Sequence, residues 1–377
     1  MRVANIIEEG KLGGPQVRIS MIAASLKGVV ETTVIMPSKN SDAFRKRCIE
    51  YDVPYKTFLI SRITKEWRVA FQYIIFSFVE IVCLAFYFRR EKFDLIHASG
   101  GSWQYKGVIA GRLAGIKVVW HLNDTAMPGF IRHLFSLISP LADGFIFASE
   151  RSRAYYLPLM KANKPEFVIP APVDTSRFDP KGSYVGDEDL LDKLAGKFII
   201  GTVANINPIK GLETFIHAAA ILNKQIDEVH FVVVGPVYKN QQGYYASLQR
   251  LCKELSVDNI EFVGSRSDVR PLLQRFNAYV CSSRAESSPI AVWEAMAMGK
   301  PVVSTDVGDV SLYIHDDHNG FIIEVGNSQA LADRLTQFAT NLEKCREFGQ
   351  RARDVAVHKL DIAQCAERHV AAYQAMR

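Results

Sequence analysis

The chain has 377 residues, 48% hydrophobic and 23% charged, ordinary proportions for a globular protein but more chain than one core comfortably holds. Two domains are therefore expected. Its six cysteines (Cys48, Cys83, Cys252, Cys281, Cys345 and Cys365) are scattered, with no Cys-x-x-Cys and no metal-like spacing, which argues against a disulfide scaffold and for a reducing compartment.

Charge is uneven along the chain. Residues 1–170 carry 23 Lys+Arg against 14 Asp+Glu, a balance of +9, and the remainder carries 22 against 26, or −4. A basic first half can attract an anionic membrane or a phosphorylated acceptor. No helix-turn-helix, zinc or RNA-binding motif accompanies it, so nucleic acid is not an expected partner. The opening Met1-Arg-Val-Ala-Asn-Ile-Ile7 reads as a first strand rather than a secretory signal, and the expected location is the cytoplasm, peripheral on the inner face of the membrane.

Short apolar runs alternate with longer amphipathic ones, the pattern of α/β domains with parallel sheets and crossover helices. In the first half the expected strands are Val3–Ile7, Thr33–Met36, Leu95–His97, Val118–His121, Gly144–Ala148 and Phe167–Pro170. In the second they are Phe198–Ala204, Val229–Gly235, Ile260–Val263, Ala278–Cys281 and Pro301–Ser304, with helices at Leu212–Lys224, Tyr244–Leu255 and Ala291–Met298. The order implies two doubly wound, Rossmann-like domains, with ligands at the C-terminal ends of the strands.

The run Val69–Phe88 is long enough to span a bilayer, and basic residues flank it (Arg62, Lys65, Arg68; Arg89, Arg90, Lys92). Its central Glu80 would be costly in lipid, and three readings stay open: a core helix, an interfacial helix, or a true span. The domain boundary falls near Ile169-Pro-Ala-Pro-Val-Asp174, where prolines prevent regular structure, which divides the chain into 1–170, 171–355 and a final helical stretch, 356–377. A Gly186-Asp-Glu-Asp189 stretch has only superficial metal-site character, and no metal is expected.

Three segments carry candidate chemistry. The first strand ends in Glu8-Glu9-Gly-Lys-Leu-Gly13-Gly14-Pro15, where glycines permit close backbone approach and Pro15 can open a helix aimed at a phosphate. His121 ends a strand, where an imidazole should face the crevice, with His97 a lesser candidate. In Glu286-Ser-Ser-Pro-Ile-Ala-Val-Trp-Glu294 two carboxylates lie eight positions apart around Pro289. A helix starting there opens the amides of Ser287, Ser288 and Ile290 onto an anion site, flanked by carboxylates able to accept hydrogen bonds from hydroxyls.

This last string closely resembles the Glu-x7-Glu signature of retaining glycosyltransferases of the GT-B fold, in particular family 4. The Gly13-Gly14 loop resembles that family's diphosphate-facing loop, and Gly201-Thr-Val-Ala-Asn-Ile-Asn-Pro-Ile-Lys-Gly211 resembles its strand–loop–helix with an Arg and a Lys-Gly. Here Lys210 matches, but Asn205 stands where the arginine usually does, so one positive charge is missing; Arg266 is a candidate substitute. The resemblance implies that His121 contacts the donor sugar, that Glu286 and Glu294 hold hexose and ribose hydroxyls, and that Gly235 and Val263 bring backbone to the nucleotide.

It further implies transfer from a nucleotide-sugar, a UDP-sugar first among them, to a lipid-linked glycan of a bacterial surface polysaccharide, without metal or other cofactor. It also implies that the chain's end crosses back to the N-terminal domain. A nucleotide-sugar epimerase of the same fold, or a non-catalytic nucleotide-sugar-binding partner protein, stays open as an alternative.

Overall fold

The computed structural model describes residues 1–61, 67–125, 127–161 and 163–376, the side chains of 67–75 excepted. The chain forms two compact units, one of Met1–Pro172 together with the stretch from Ile362 onward, the other of Val173–Asp361. In the first unit the strands are β1 (Arg2–Ile7), β2 (Glu31–Pro37), β3 (Tyr55–Phe58), β4 (Leu95–Ser99), β5 (Lys117–Leu122), β6 (Gly144–Phe147) and β7 (Glu166–Val168). They lie in the order β3-β2-β1-β4-β5-β6-β7, all parallel.

The second unit contains β8 (Phe198–Val203), β9 (Val229–Val234), β10 (Ile260–Gly264), β11 (Ala278–Cys281), β12 (Val302–Thr305) and β13 (Gly320–Ile323). Their order is β10-β9-β8-β11-β12-β13, again all parallel. Strand order reverses between β1 and β4 in one sheet and between β8 and β11 in the other, the switch points where doubly wound sheets open toward ligands. The central strands β4, β9, β11 and β12 are buried along their whole length, as expected of parallel strands covered on both faces.

Two strands escape the sequence reading. β3, Tyr-Lys-Thr-Phe, is a half-polar edge strand, and β13 is a four-residue edge strand. Short edge strands carry little periodicity to read. The boundary near residue 356 also moves: Ala356 and Leu360 are fully buried in the second unit's core, and Asp361 bridges to Val173 and accepts from Thr175. The return to the first unit thus begins at Ile362.

The apolar run forms the helix Trp67–Glu91. One face is core, with Leu84 and Phe88 at most 1% exposed, each burial contributing roughly 1.5–3 kcal/mol. The opposite face leaves Phe76, Phe78, Val79, Val82 and Phe86 exposed. Among the described residues no helix is long and apolar enough to cross a membrane, and the side chains of the run's first residues, up to 75, lie outside the described residues. Arg62, Lys65 and the side chain of Arg68 lie outside the described residues.

The final helix, Ile362–Ala375, packs on the first helix, Gly14–Ser25, and supplies Cys365, Ala366, Ala372 and Tyr373 to the core beneath β1, β4 and β5. It also closes a polar cluster. Arg18 Nη1 lies 2.6 Å from His121 Nε2, His121 Nδ1 lies 3.1 Å from His97 Nε2, and His97 Nδ1 lies 2.7 Å from the Tyr373 hydroxyl. An arginine can only donate, so His121 Nε2 accepts and its proton sits on Nδ1, which in turn donates to His97. The rings of His97 and His121 stack 5.3 Å apart, and His369 stacks on His97 and lies tilted against His121.

Burial holds all three imidazoles below their ordinary range, helped by the Arg18 charge, with His369 brought to about 4. An unfolded histidine titrates near 6.5, so the unfolded chain takes up protons that the folded unit refuses. The stabilisation is therefore whole above about pH 6.5 and is lost as pH falls toward the depressed values. From there down to about pH 4 the first unit should lose up to about 1.4 kcal/mol per pH unit for each histidine. His369→Gln should flatten the slope by about one proton, read from urea midpoints across that range; an unchanged slope would refute a neutral, buried His369.

Candidate functional site

In the second unit, the loops that leave the two strands flanking the switch point bring together residues 76 positions apart. Lys210 follows β8 and Glu286 follows β11, and their side chains pair with Nζ to Oε1 at 2.5 Å. The same carboxylate oxygen accepts from the Ser283 hydroxyl at 2.8 Å. Both side chains keep about a fifth of their surface open, 23% for Lys210 and 18% for Glu286, so the pair is held yet reachable.

Backbone contacts fix that geometry. Ser282 Oγ donates to the Lys210 carbonyl at 3.0 Å, and the Arg284 amide donates to Ile209 O at 2.7 Å. Gly211 turns the chain at φ +59, and a Cβ there would stand 2.2 Å from the Ser282 carbonyl oxygen. Only glycine allows the lysine loop to lie this close to the β11 loop. Asn207 caps the short turn, its Oδ1 accepting from the Ile209 amide at 3.1 Å.

The helix after the loop runs Ile290–Ala297 with Pro289 at its N-cap, as the proline's position predicts. Glu286, Ser287 and Ser288 precede it in the loop and Glu294 lies in its second turn; all four side chains are partly exposed. Trp293 faces the opposite way, wholly buried against Tyr313 with ring centroids 5.1 Å apart, and donates from its indole nitrogen to Ser288 Oγ at 3.2 Å. Behind the loop, Gly308 at φ +56 leaves no room for a side chain, since a Cβ would stand 2.4 Å from the Ser287 carbonyl oxygen. Thr305 donates to the Ser283 carbonyl at 2.6 Å.

Ser282, Ser283, Thr305 and Gly308 are not among the sequence candidates. The serines lie three or four residues before Glu286 and carried a local signal; Thr305 and Gly308, on the next strand and its loop, carried none. The remaining donor-side candidates sit around the same sheet edge. Gly235 is buried at the end of β9 with its Cα against the Ala204-Asn205 backbone, which places Asn205 at the adjacent strand end. Val263, near the end of β10, gives its carbonyl to the Arg266 guanidinium. Arg266 is otherwise taken up by Asp187, Nε to Oδ1 at 2.6 Å. Its charge is thus compensated locally, as that of Lys210 is by Glu286.

In the first unit Gly13 and Gly14 are exposed at the start of the helix Gly14–Ser25, with Pro15 in its first turn. His121 does not face an opening. It is fully buried beneath Arg18, His97 and the final helix, partners too distant in sequence for strand position to reveal. The polar group at the end of β5 is instead Asp124, bonded by Tyr156 and by Ser102 Oγ at 3.2 Å, and held above the usual carboxylate range by burial. Among the described residues no cluster of His, Cys, Asp or Glu could hold a metal ion.

Two family models match the chain, one over each unit: Glycosyltransferase Family 4 over residues 12–177 and Glycosyl transferases group 1 over residues 190–355. The UDP-Gal:α-D-GlcNAc-diphosphoundecaprenol α-1,3-galactosyltransferase of Escherichia coli is 25% identical over 273 residues, 66% of this chain and 67% of that protein. The N,N'-diacetylbacillosaminyl-diphospho-undecaprenol α-1,3-N-acetylgalactosaminyltransferase of Campylobacter jejuni is 28% identical over 254 residues, 66% of this chain and 65% of that one.

Bacillus subtilis EpsD, named as a glycosyltransferase, is 32% identical over 189 residues, and the match spans 49% of this chain and about half of EpsD, 48%. Among solved structures, Anabaena HepE in complex with UDP superposes with a TM-score of 0.84 over 99% of this chain and 100% of that one, at 20% identity. Sucrose-phosphate synthase from Thermosynechococcus elongatus gives 0.80 over 99% and 98%, at 17% identity, and these likenesses show the fold. The two parallel-sheet domains and the paired models agree: the chain belongs to the group 1, family 4 glycosyltransferases and has the GT-B fold.

Proposed function

We propose that the protein is a retaining hexosyltransferase that takes a UDP-sugar, without metal, and passes the hexose to a lipid-linked glycan of a bacterial surface polysaccharide at a membrane. The observation that carries this reading is the Lys210–Glu286 pair at the β8/β11 switch point, beside the N-terminus of the helix Ile290–Ala297. A cation and a row of helix amides suit a diphosphate, while the carboxylates of Glu286 and Glu294 suit hydroxyls. The two relatives whose names specify diphosphoundecaprenol-linked substrates and α-1,3 linkages support the acceptor class and the retention.

In the proposed reaction the bond between the anomeric carbon and the diphosphate breaks as the acceptor oxygen bonds to the same face. The acceptor's proton passes to the departing diphosphate. Lys210 and the amides of Ser287, Ser288 and Ile290 offset the charge that develops there. Glu286 holds the lysine in place before the donor arrives and reads the sugar once it is bound.

One observation favours a second reading, a nucleotide-sugar binder without turnover: Asn205 is neutral and Arg266 is already paired. Calorimetry with UDP, UDP-glucose and GDP-mannose, followed by UDP release with and without a diphosphate-linked glycan acceptor, separates the two. Binding with no release in either case would establish the binder, and conversion of the donor alone would indicate an epimerase.

If Lys210 and Glu286 act as one unit, Lys210→Ala and Glu286→Ala should each lower kcat by about 10²-fold or more, and the double variant should lose far less than their product. Fully additive losses would show that the pair does not work together. Glu294→Gln should mainly weaken UDP-sugar binding, by roughly 1–3 kcal/mol for a lost charged hydrogen bond, whereas Asn205→Arg should leave turnover unchanged or raise it.

With cation work assigned to lysine and helix amides, transfer should survive excess EDTA. Complete loss, restored by Mg²⁺ or Mn²⁺, would overturn the metal-free mechanism.

The +9 balance of residues 1–170 and the exposed apolar face of Trp67–Glu91 support a membrane seat. Each Lys or Arg near an anionic surface adds about 1 kcal/mol, and salt screens it. The protein should co-sediment with anionic vesicles at low salt and largely leave them near 1 M NaCl; failure to pellet at low salt would remove the membrane from the proposal.

A further inference from the structure

Between the edge strand β3 and the helix Trp67–Glu91 the first unit carries a groove of about 730 Å³, within the range of roughly 300–1,000 Å³ usual for ligand pockets. Its walls are mostly apolar: Phe58, Leu59, Phe76, Val79, Cys83 and Leu84. Leu59 is 76% exposed and Val79 58%, so the groove is open along its length. Single exposed apolar side chains are ordinary, but a concave, contiguous set is not.

The two ends differ. At the inner end Ser61 and Glu80 close over Lys106, whose buried ammonium donates to the Ser61 carbonyl at 2.6 Å and its hydroxyl at 2.9 Å and pairs with Glu80. That cation is compensated and has nothing to offer a ligand. At the other end stand Ser38 and the exposed Lys39. The Lys39 backbone lies directly against the glycine loop after β1, since a Cβ on Gly10 would stand 2.6 Å from the Lys39 carbonyl oxygen. The same loop leads to the exposed amides of Gly13 and Gly14 at the start of the first helix. A hydrocarbon trough thus opens beside a lysine and a helix N-terminus.

We propose that this groove holds the isoprenoid chain of the lipid-linked acceptor, with its diphosphate at Lys39, beside the Gly13-Gly14 loop that the family resemblance gives to the donor's diphosphate. The inference rests on the acceptor class proposed above and adds the place that receives it. A chain laid along the groove covers Val79 and Cys83. The headgroup at the mouth then lies at the C-terminal edge of β1 and β2, the ligand-facing edge of the sheet.

Cys83 supplies the readout, because the other five cysteines are buried and it alone among the six is exposed. Farnesyl diphosphate serves as the chain-bearing probe and inorganic diphosphate as the headgroup alone. Farnesyl diphosphate should bind the full chain at least about 100-fold more tightly than diphosphate, given the gain per buried methylene. At about ten times its Kd it should slow modification of Cys83 by a thiol reagent about tenfold, in proportion to occupancy. Val79→Asp, at an exposed position, should abolish the preference for farnesyl over inorganic diphosphate, and Lys39→Ala should weaken both probes.

Equal binding of the two probes, or farnesyl diphosphate binding that leaves Cys83 reactive, would overturn the groove; the second result needs no variant to fold. Protection of Cys83 by anionic phospholipid vesicles but not by farnesyl diphosphate would also overturn it, in favour of a plain membrane seat. Titrating UDP into the same protein keeps the two proposals apart. UDP binding without farnesyl diphosphate binding removes the groove and keeps the donor site, and the reverse keeps the groove and removes the donor site.

Discussion

Parallel pairing makes every strand leave its sheet at the same edge, and a helix must then carry the chain back before the next strand begins. Both sheets are wholly parallel, so the loops that follow β1, β4 and β5 crowd one edge of the first unit, and those that follow β8, β9, β10 and β11 crowd one edge of the second. Where strand order reverses, neighbouring crossovers depart to opposite faces and leave the edge uncovered. Lys210 and Glu286 meet there for that reason, not because of anything between them in sequence. Helix amides point the same way, since each crossover helix starts at the same edge.

The two units handle buried charge in contrasting ways. The second couples Lys210 to the Glu286 carboxylate and leaves both partly wet. The first buries Arg18 to 3% exposure with histidine rings and a tyrosine around it; among the described residues it has no carboxylate partner and its Nη2 is unbonded. Burial lowers its pKa to about 10, the direction expected when a cation loses solvent. A fixed positive charge of this kind dictates the tautomer of every ring in line with it, so the cluster has a single protonation pattern at neutral pH.

Much of this was legible in the residues. Hydrophobic runs of three to seven residues located eleven of the strands, and Pro289 marked the start of its helix, because burial on both faces and a fixed φ leave local traces. The Glu286–Glu294 spacing and Lys210 led to the same loop system. What stayed hidden depends on partners far along the chain. Arg266 reads as an available cation until Asp187, 79 residues earlier, is seen to hold it. His121 reads as a strand-end imidazole facing a ligand until Arg18 and Tyr373 enclose it. Gly308 is one glycine among 24 until the Ser287 carbonyl is found pressed against it. Edge strand β3 had too few alternating residues to declare itself.

The return of the final helix to the first unit has a consequence for how the protein is made. Val3, Leu95 and Val119 are covered by side chains that come from Cys365, Ala366, Ala372 and Tyr373, so the first core is complete only when that helix has been added. The second unit, contiguous from Val173 to Asp361, has all its own parts beforehand. During synthesis the earlier sequence must therefore wait, with its histidines and Arg18 uncovered, while the later sequence can finish folding. A chain broken before Ile362 would keep every part of its second unit, while its first unit would lack its seal and leave Val3, Leu95 and Val119 without that cover.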